Sequence, residues 1–382
     1  MSDKQFISNL SSTYADVRKL DVKKFNLKGK NILEYIDDAK INSDTRNTQL
    51  KNDELDIWNT EISLSDNGHI EVKPFEHTYE EMTDEQKELL LNNAAQVINN
   101  EVLDTDGNHL MYWQTDGLTD GTGMFQYCTN LTTFSSDLSS LTNGYEMFVG
   151  CFQLTSFSSD LPSLTDGDFM FMYCENLESF SSDFPSLTSG NYMFYNCSHL
   201  TSFSSDLSSL TSGSNMFENC SNLTTFTSDL PSLTSGQYMF SQCSQLTSFS
   251  SDLPNLRRGD GMFNNCSQFT SFDIDLSSLT EGFAMFGDCT NLTSFSSDLS
   301  SLTDGNKMFN GCKLDAQSVA NIIHFLLQRD AKPTNTYDGN ITIGIGITNT
   351  DEAKQAFAEE CDCNSWEELN KEFDDKNWVV QW

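Results

Sequence analysis

Apolar residues return along the middle of the chain with a fixed period of 23 residues. Eight full units run from Met124 to Lys307 and a ninth begins at Met308, with the common pattern MFxxCxxLxxFxSDLxSLxxGxx. Repetition at such a period predicts a solenoid, in which each coil supplies one share of a continuous core. We assign this solenoid to residues 121–312.

Each unit divides into two halves with different periods. In FSSDL the apolar residues alternate, as in a strand, and Ser136 lies at an inward position that one copy fills with Ile274. The MFxxC half has apolar residues at offsets of one and four, which favours a helical turn. Gly144 and its equivalents are expected to turn the chain back with a positive φ. The unit therefore predicts one strand and one helical turn per coil.

The run MFxNCSxLTSFSSDLPSL resembles the 23-residue repeat of BspA-like bacterial leucine-rich repeats. The resemblance covers residues 121–312, and this sequence departs from the family by serine within the strand and by the added aspartate. It implies an α/β solenoid, a leucine-rich-repeat-like right-handed coil with a parallel sheet on one side. It also implies surface adhesion or host recognition as the usual function.

The two ends of the chain do not repeat, and we expect them to flank the solenoid. Residues 1–75 predict an extended or helical attachment or oligomerisation segment, with a faint heptad at Ile36, Ser43, Leu50 and Ile57. Residues 76–120 predict a helical N-terminal cap, with a helix over 84–102 opened by a capping box. Residues 313–382 predict a small α+β C-terminal cap, with a helix after Asp315 and a strand at ITIGIGI.

Charge and composition exclude several classes of function. The formal charge of −35 argues against nucleic acid and against anionic membrane surfaces. No run approaches the length of a membrane-spanning helix, so no membrane insertion is expected, and the first residues lack the apolar stretch of a signal peptide. Nine of the eleven cysteines recur at 23-residue intervals, which predicts small buried side chains rather than disulfides or a metal site.

A column of aspartates precedes the second leucine of each unit. Outward carboxylates at strand spacing repel one another, so the column needs a partner. The alternatives are hydrogen bonds to backbone N–H groups of the following turn, calcium held between coils along Asp137, Asp160 and Asp183, or an acidic stripe that binds protein. The whole column is Asp137, Asp160, Asp183, Asp206, Asp229, Asp252, Asp275 and Asp298.

Two pairs of positions vary between units, one before each Met and one after each MF. Aromatic residues gather there, a composition typical of surfaces that bind carbohydrate or protein, although they could also cover the edge of a thin core. Arg257 and Arg258 add a basic spot, and the Arg-Gly-Asp tripeptide they begin is attributed to chance. The candidate ligand-binding surface is Tyr127, Tyr145, Phe169, Tyr173, Tyr192, Tyr195, Tyr238, Arg257 and Arg258.

We find no catalytic constellation, because the five histidines are scattered and no nucleophile or phosphate-loop motif occurs. No enzyme activity and no resident cofactor are expected. We predict a structural or adhesion protein at a virion surface, a phage fibre or appendage that binds a host surface protein or glycan. Residues 1–75 would attach it to other virion proteins, and a homo-oligomer such as a trimer is compatible with them. A bacterial or protist cell-surface adhesin is the alternative.

Overall fold

The computed structural model describes the repeat array without a break, together with shorter stretches on either side. The described residues are 20–21, 26–27, 30–31, 60–64, 69–74, 87, 91–99, 101–107, 109–112, 117–327, 358, 367–368 and 371.

Short parallel strands form one wall of the solenoid, in three separate groups of paired strands. Residues 23 apart pair in register, as Phe157 does with Phe134 on one side and with Phe180 on the other. The prediction of a parallel sheet is confirmed, but each strand is short. The strands are β9 (Thr133–Ser135), β10 (Ser156–Phe157), β11 (Ser179–Phe180), β12 (Ser202–Phe203), β13 (Thr225–Phe226), β14 (Ser271–Phe272) and β15 (Ser294–Phe295).

The MFxxC segments form the opposite wall, here called the turn wall. In each coil four alternate N–H groups donate to the next coil, at 2.7–3.1 Å, as Phe125 N does to the carbonyl of Met147. The intervening N–H groups close turns within the coil, as Cys128 N does to Phe125 O. The predicted helical turn is wrong, because one residue with a positive φ lies just before each Met and another just before each Cys, and a right-handed helix cannot continue through them.

The core lies between the two walls. Phe134 of the strand packs edge-on against Phe125 and Phe148 of the turn wall, with ring centroids 5.3 and 4.9 Å apart. Neighbouring rings stack at 5.3–5.6 Å along the turn wall and at 5.5–6.4 Å along the sheet. The coils are therefore closest together where the hydrogen bonding between them is densest.

The cysteine column is buried, and its nine members are free thiols. From Cys151 onward each Sγ donates to the carbonyl of a phenylalanine in the preceding coil, as Cys151 does to Phe125 O at 3.1 Å. Burial raises the pKa of every thiol in the column, to about 12 for Cys128 and Cys289. The predicted role as small buried side chains is confirmed.

A second buried column consists of serines, as predicted from the inward position assigned to Ser136. Their hydroxyls bond the backbone of adjacent coils, as Ser205 Oγ does to Ser182 O at 2.7 Å. The one apolar member, Ile274, is 6% exposed and so occupies the same inward position. Ser297, which follows it, is the one serine of this column whose hydroxyl has no partner among the described residues. Burial of a serine hydroxyl therefore costs little free energy only where the hydroxyl forms a hydrogen bond with a backbone group of a neighbouring coil.

The repeated glycines serve a different purpose from the one predicted. Gly144 and its equivalents through Gly305 have no positive φ, so the expected turn conformation is wrong. A Cβ on Gly144 would lie 2.9 Å from Met170 Sδ and 3.2 Å from Leu164 Cδ1. Glycine is required there because the methionine and leucine of the next coil pass directly over its Cα.

Strands, rather than the predicted helix, close the N-terminal end of the array. β6 (Gln96–Ile98) pairs parallel with β9, and β7 (Glu101–Leu103) and β8 (His109–Tyr112) follow antiparallel. The helix predicted over 84–102 is wrong from residue 94 onward. Val97 and Val102 are buried between exposed or half-buried neighbours, which is the period of a strand, and Asn99 turns the chain with φ 49°.

A helix closes the C-terminal end. α1 (Ala316–Leu327) begins where the sequence predicted, and Asp315 Oδ1 accepts from Ser318 N at 2.8 Å as its N-cap. Ser318 Oγ in turn accepts from Phe295 N, so α1 supplies a hydrogen-bond acceptor to the outer edge of the last strand, β15. Within the described part of the chain no helix combines the length and the apolarity needed to cross a bilayer.

Five further strands occur in the first 75 residues. β1 (Leu20–Asp21), β5 (His69–Pro74) and β4 (Thr60–Leu64) form an antiparallel sheet, and β2 (Asn26–Leu27) pairs with β3 (Lys30–Asn31). The extended part of that prediction is therefore supported where these strands lie. The faint heptad and the ITIGIGI strand lie outside the described residues, and beyond α1 the structure describes only residues 358, 367–368 and 371 of the C-terminal cap, all of them helical.

Two glycine variants test the close approach between coils. We expect Gly144→Ala to lower the free energy of unfolding by about 1–3 kcal/mol, because the new methyl group overfills the core. Gly190→Ala should cost less, since its Cβ would meet nothing nearer than 3.3 Å. Chemical denaturation of both variants measures the difference, and equal costs would show that the methionine is not the reason for glycine.

Candidate functional site

The two variable positions of the repeat share an unusual backbone conformation. The second residue of each variable pair has φ between 49° and 80° in all nine coils, in the left-handed region. We call the two sets the first and second display columns. The first consists of Gly123, Glu146, Phe169, Tyr192, Asn215, Tyr238, Gly261, Ala284 and Lys307. The second consists of Tyr127, Gly150, Tyr173, Asn196, Asn219, Gln242, Asn265, Asp288 and Gly311.

Glycine and asparagine are the residues that tolerate this conformation best, and they fill many of these positions. A bulky side chain there costs about 1–2 kcal/mol of backbone strain. Phe169, Tyr173 and Tyr192 occupy such positions in neighbouring coils although Asn196 and Asn215 show that a relaxed residue fits. The aromatic rings are therefore kept at the surface against a local preference of the backbone.

Five of the predicted aromatic residues form one continuous set of ring contacts, here called the aromatic row. Phe169 stacks on Tyr192 with centroids 5.1 Å apart and planes within 5° of parallel. Tyr145 meets Phe169 edge-on at 5.6 Å, and Tyr195 joins the other end, 5.7 Å from Tyr192 and 5.5 Å from Tyr173. The row is Tyr145, Phe169, Tyr192, Tyr195 and Tyr173.

The row lies on the outside of the turn wall. Tyr145 is 36% exposed, and the other four rings are half-buried. The hydrogen-bonded backbone beneath holds them in place, because Asp168 Oδ1 accepts from Asn191 N at 2.7 Å beside Tyr192, and Asn191 Oδ1 repeats the contact with Ser214 N. The row presents a rigid apolar surface of linked ring faces and edges across three coils.

Carboxylates surround the row. Glu146 lies next to Tyr145 and raises the pKa of its hydroxyl, with burial, Asp168 and Asp166 adding to the effect. Burial and then Glu218 raise the pKa of Tyr195. The field at both ends of the row is therefore negative.

Two other predicted aromatic residues stand apart from the row. Tyr127 is 50% exposed and its ring lies over Gly150, where an added Cβ would come within 2.6 Å of it. Tyr238 is 39% exposed and lies in the same way over Gly261. Phe152 is also exposed, and it was not predicted as part of the surface because it falls outside the variable pairs.

The predicted basic spot is built into the fold. Arg258 Nε donates to Glu281 Oε2 at 3.3 Å, and Gly259 is one of the glycines beneath a methionine. Asp260 Oδ1 accepts from Phe283 N at 2.9 Å, and burial raises the pKa of this carboxyl. The Arg-Gly-Asp tripeptide is thus part of the turn wall, as its attribution to chance implied, and Arg257 and Arg258 do not join the aromatic row.

The aspartate column divides according to the residue two positions later. Where that residue is serine, the aspartate accepts from its backbone N–H, as Asp206 does from Ser208 N at 2.9 Å. The same bond occurs at Asp137, Asp275 and Asp298. Proline follows the other four aspartates and offers no N–H, so the predicted turn bond is confirmed for half of the column.

Among the four aspartates that precede proline, only Asp183 accepts another backbone bond, from Asp206 N at 3.0 Å. The carboxylates of Asp160, Asp229 and Asp252 have no hydrogen bond to any described residue. In the described part of the chain no three acidic, histidine or cysteine side chains come together as a metal site would require. Calcium binding by this column stays a prediction.

These features define a leucine-rich-repeat solenoid with a display surface on its turn wall. The family model described as "BspA type Leucine rich repeat region" matches six copies within residues 167–275 and 236–326. That stretch of the chain is a BspA-type leucine-rich repeat region, as the sequence pattern predicted.

Solved structures of bacterial leucine-rich-repeat proteins are similar to this chain. A protein from Bacteroides ovatus is 18% identical over 67% of this chain and 80% of its own, with a TM-score of 0.31. A leucine rich cell surface protein from Faecalibacterium prausnitzii is 16% identical over 76% and 82%, with a TM-score of 0.30. The T. pallidum leucine-rich-repeat protein is 20% identical over 50% and 90%, with a TM-score of 0.28. A search of curated proteins found no match.

Paired substitutions test the division of the aspartate column. Asp206→Ala should lower the free energy of unfolding by a few tenths to about 1 kcal/mol, because an exposed turn loses its acceptor, whereas Asp229→Ala should have no measurable effect. The Ser208 bond lowers the pKa of Asp206 below its usual 3.8. Its contribution is therefore complete above about pH 4 and disappears as the pH falls through the lowered pKa. Denaturation at neutral and acid pH measures both effects, and an equal loss in the two variants would contradict the assignment.

Proposed function

We propose that this protein is a non-enzymatic recognition protein, which uses the turn wall of its solenoid to adhere to a surface. The aromatic row carries the proposal. Exposed tyrosines on a rigid frame supply large contact area at a low cost in conformational entropy, and aromatic side chains dominate the binding energy of most interfaces. The strained backbone at Phe169, Tyr173 and Tyr192 supports this role, because covering the core would not require rings at those positions.

We propose two alternative assemblies in which the protein works. The one we put first is a virion, where residues 1–75 attach the solenoid to a phage fibre or appendage and the row faces the host. The other is a bacterial or protist cell surface, the location printed in the name of the Faecalibacterium prausnitzii protein. Immunogold labelling of purified virions and of intact cells separates them, and label confined to the cell interior would contradict both.

The adhesion role is tested with purified, fluorescently labelled protein and flow cytometry on bacterial and epithelial cells. Tyr173→Asn should reduce binding roughly tenfold, since it removes one ring of the row and leaves a residue that three other coils use at this position. Tyr127→Asn, in the same column but outside the row, is the matched control and should bind as the wild type does. The proposal fails if the unmodified protein binds no cell, or if both variants bind equally well.

A further inference from the structure

The larger part of the solenoid, which holds the aromatic row, has charges of a single sign. Residues 121–256 contain no Lys or Arg. The carboxylates nearest the row in the chain include Glu146, Asp166, Asp168 and Glu175 on the coils of the row, and Glu218 on the next coil. Such a surface attracts cations over about a Debye length and repels anionic partners.

Ring faces add a second attraction for the same kind of group. The face of an aromatic ring carries negative charge in its quadrupole, so an ammonium or guanidinium group is drawn to it. In the row these rings are linked at 5.1–5.7 Å and flanked by Glu146 and Glu218. Both the rings and the carboxylates therefore favour a positive side chain at one place.

The last coils show this contact formed within the molecule. Lys307 lies in the first display column, and its Nζ is 6.0 Å from the centroid of the Phe283 ring. Phe283 lies one coil earlier, at the position equivalent to Tyr145. The positions that form the row thus hold a ring and a cation together where the chain supplies its own lysine.

We infer that the aromatic row binds a basic segment of a protein partner, with arginine or lysine side chains laid over the rings between the flanking carboxylates. A neutral glycan would use the rings but gain nothing from the carboxylates, and an anionic glycan would be repelled. This inference rests on the proposed recognition function and names the chemistry of its partner.

Fluorescence anisotropy tests the inference with a labelled oligo-arginine peptide and its oligo-citrulline counterpart, which has the same shape without the charge. We expect the full-length protein to bind oligo-arginine and to bind oligo-citrulline at least tenfold more weakly. Tyr192→Asn should weaken oligo-arginine binding roughly three- to tenfold. Asn215 occupies the same position one coil later, so this variant should retain the fold, which its melting temperature checks.

Tyr238→Asn is the matched control, because Tyr238 lies in the same display column but outside the row, with its ring over Gly261 and with Arg257 and Arg258 on the next coil of the sequence. It should leave the affinity for oligo-arginine unchanged. An equal loss in both variants, or no loss in either, would show that the net charge alone captures the peptide and would overturn the inference. Binding of a neutral glucan at the row, lost in Tyr192→Asn, with no preference for oligo-arginine would also overturn it.

The two proposals fail separately. If the protein adheres to cells through the row but does not prefer oligo-arginine, the basic partner is wrong and the recognition function stands. If it prefers oligo-arginine in solution but adheres to no cell, the recognition function is wrong and the chemistry of the row stands.

Discussion

Four hydrogen bonds pass from the turn wall of every coil to the next, and the rest of the solenoid depends on them. They require alternate N–H groups to point along the solenoid axis, and the chain meets this requirement by placing two left-handed residues in each segment. The strands on the other wall are only two or three residues long, and the coil that contains Phe249 forms none. The continuous ladder is therefore on the side where the sequence pattern suggests a helix.

The composition of the buried columns follows from how closely this ladder draws the coils together. Rings along the turn wall stack at 5.3–5.6 Å, so each must be the same residue in the same rotamer as its neighbours. The glycine beneath Met170 and the thiol that reaches the Phe125 carbonyl are the only kinds of residue that fit the remaining space. The close spacing thus explains why phenylalanine, methionine, cysteine and glycine hardly vary while the display columns do.

The sequence predicted the coil, its inward columns and the residues on its display surface, because each depends on a period that can be counted. It did not predict the conformation at those positions. The high content of asparagine and glycine in the display columns could have indicated a positive φ, but tyrosine and phenylalanine occur at several of the same positions and obscure that pattern. The positive φ predicted at Gly144 and its equivalents was wrong, because a close contact with a side chain of the next coil also requires glycine. The sequence alone does not distinguish these two reasons for a glycine. The N-terminal hairpin was missed because Leu90, Ala94 and Val97 are spaced by four and three residues, as on one face of a helix.

Both ends of the array close on a single coil. Among the strands of the repeats β6 pairs only with β9, and the hydroxyl of Ser318 in α1 bonds only the backbone of the last coil that forms a strand. Neither cap senses how many coils lie between them, so a gene that gains or loses one unit would lengthen or shorten the protein by about 5 Å and leave both closures intact. The number of coils can therefore change in evolution without disturbing either cap. Coils added after the aromatic row move the C-terminal cap and leave the distance from the row to the N-terminal cap unchanged.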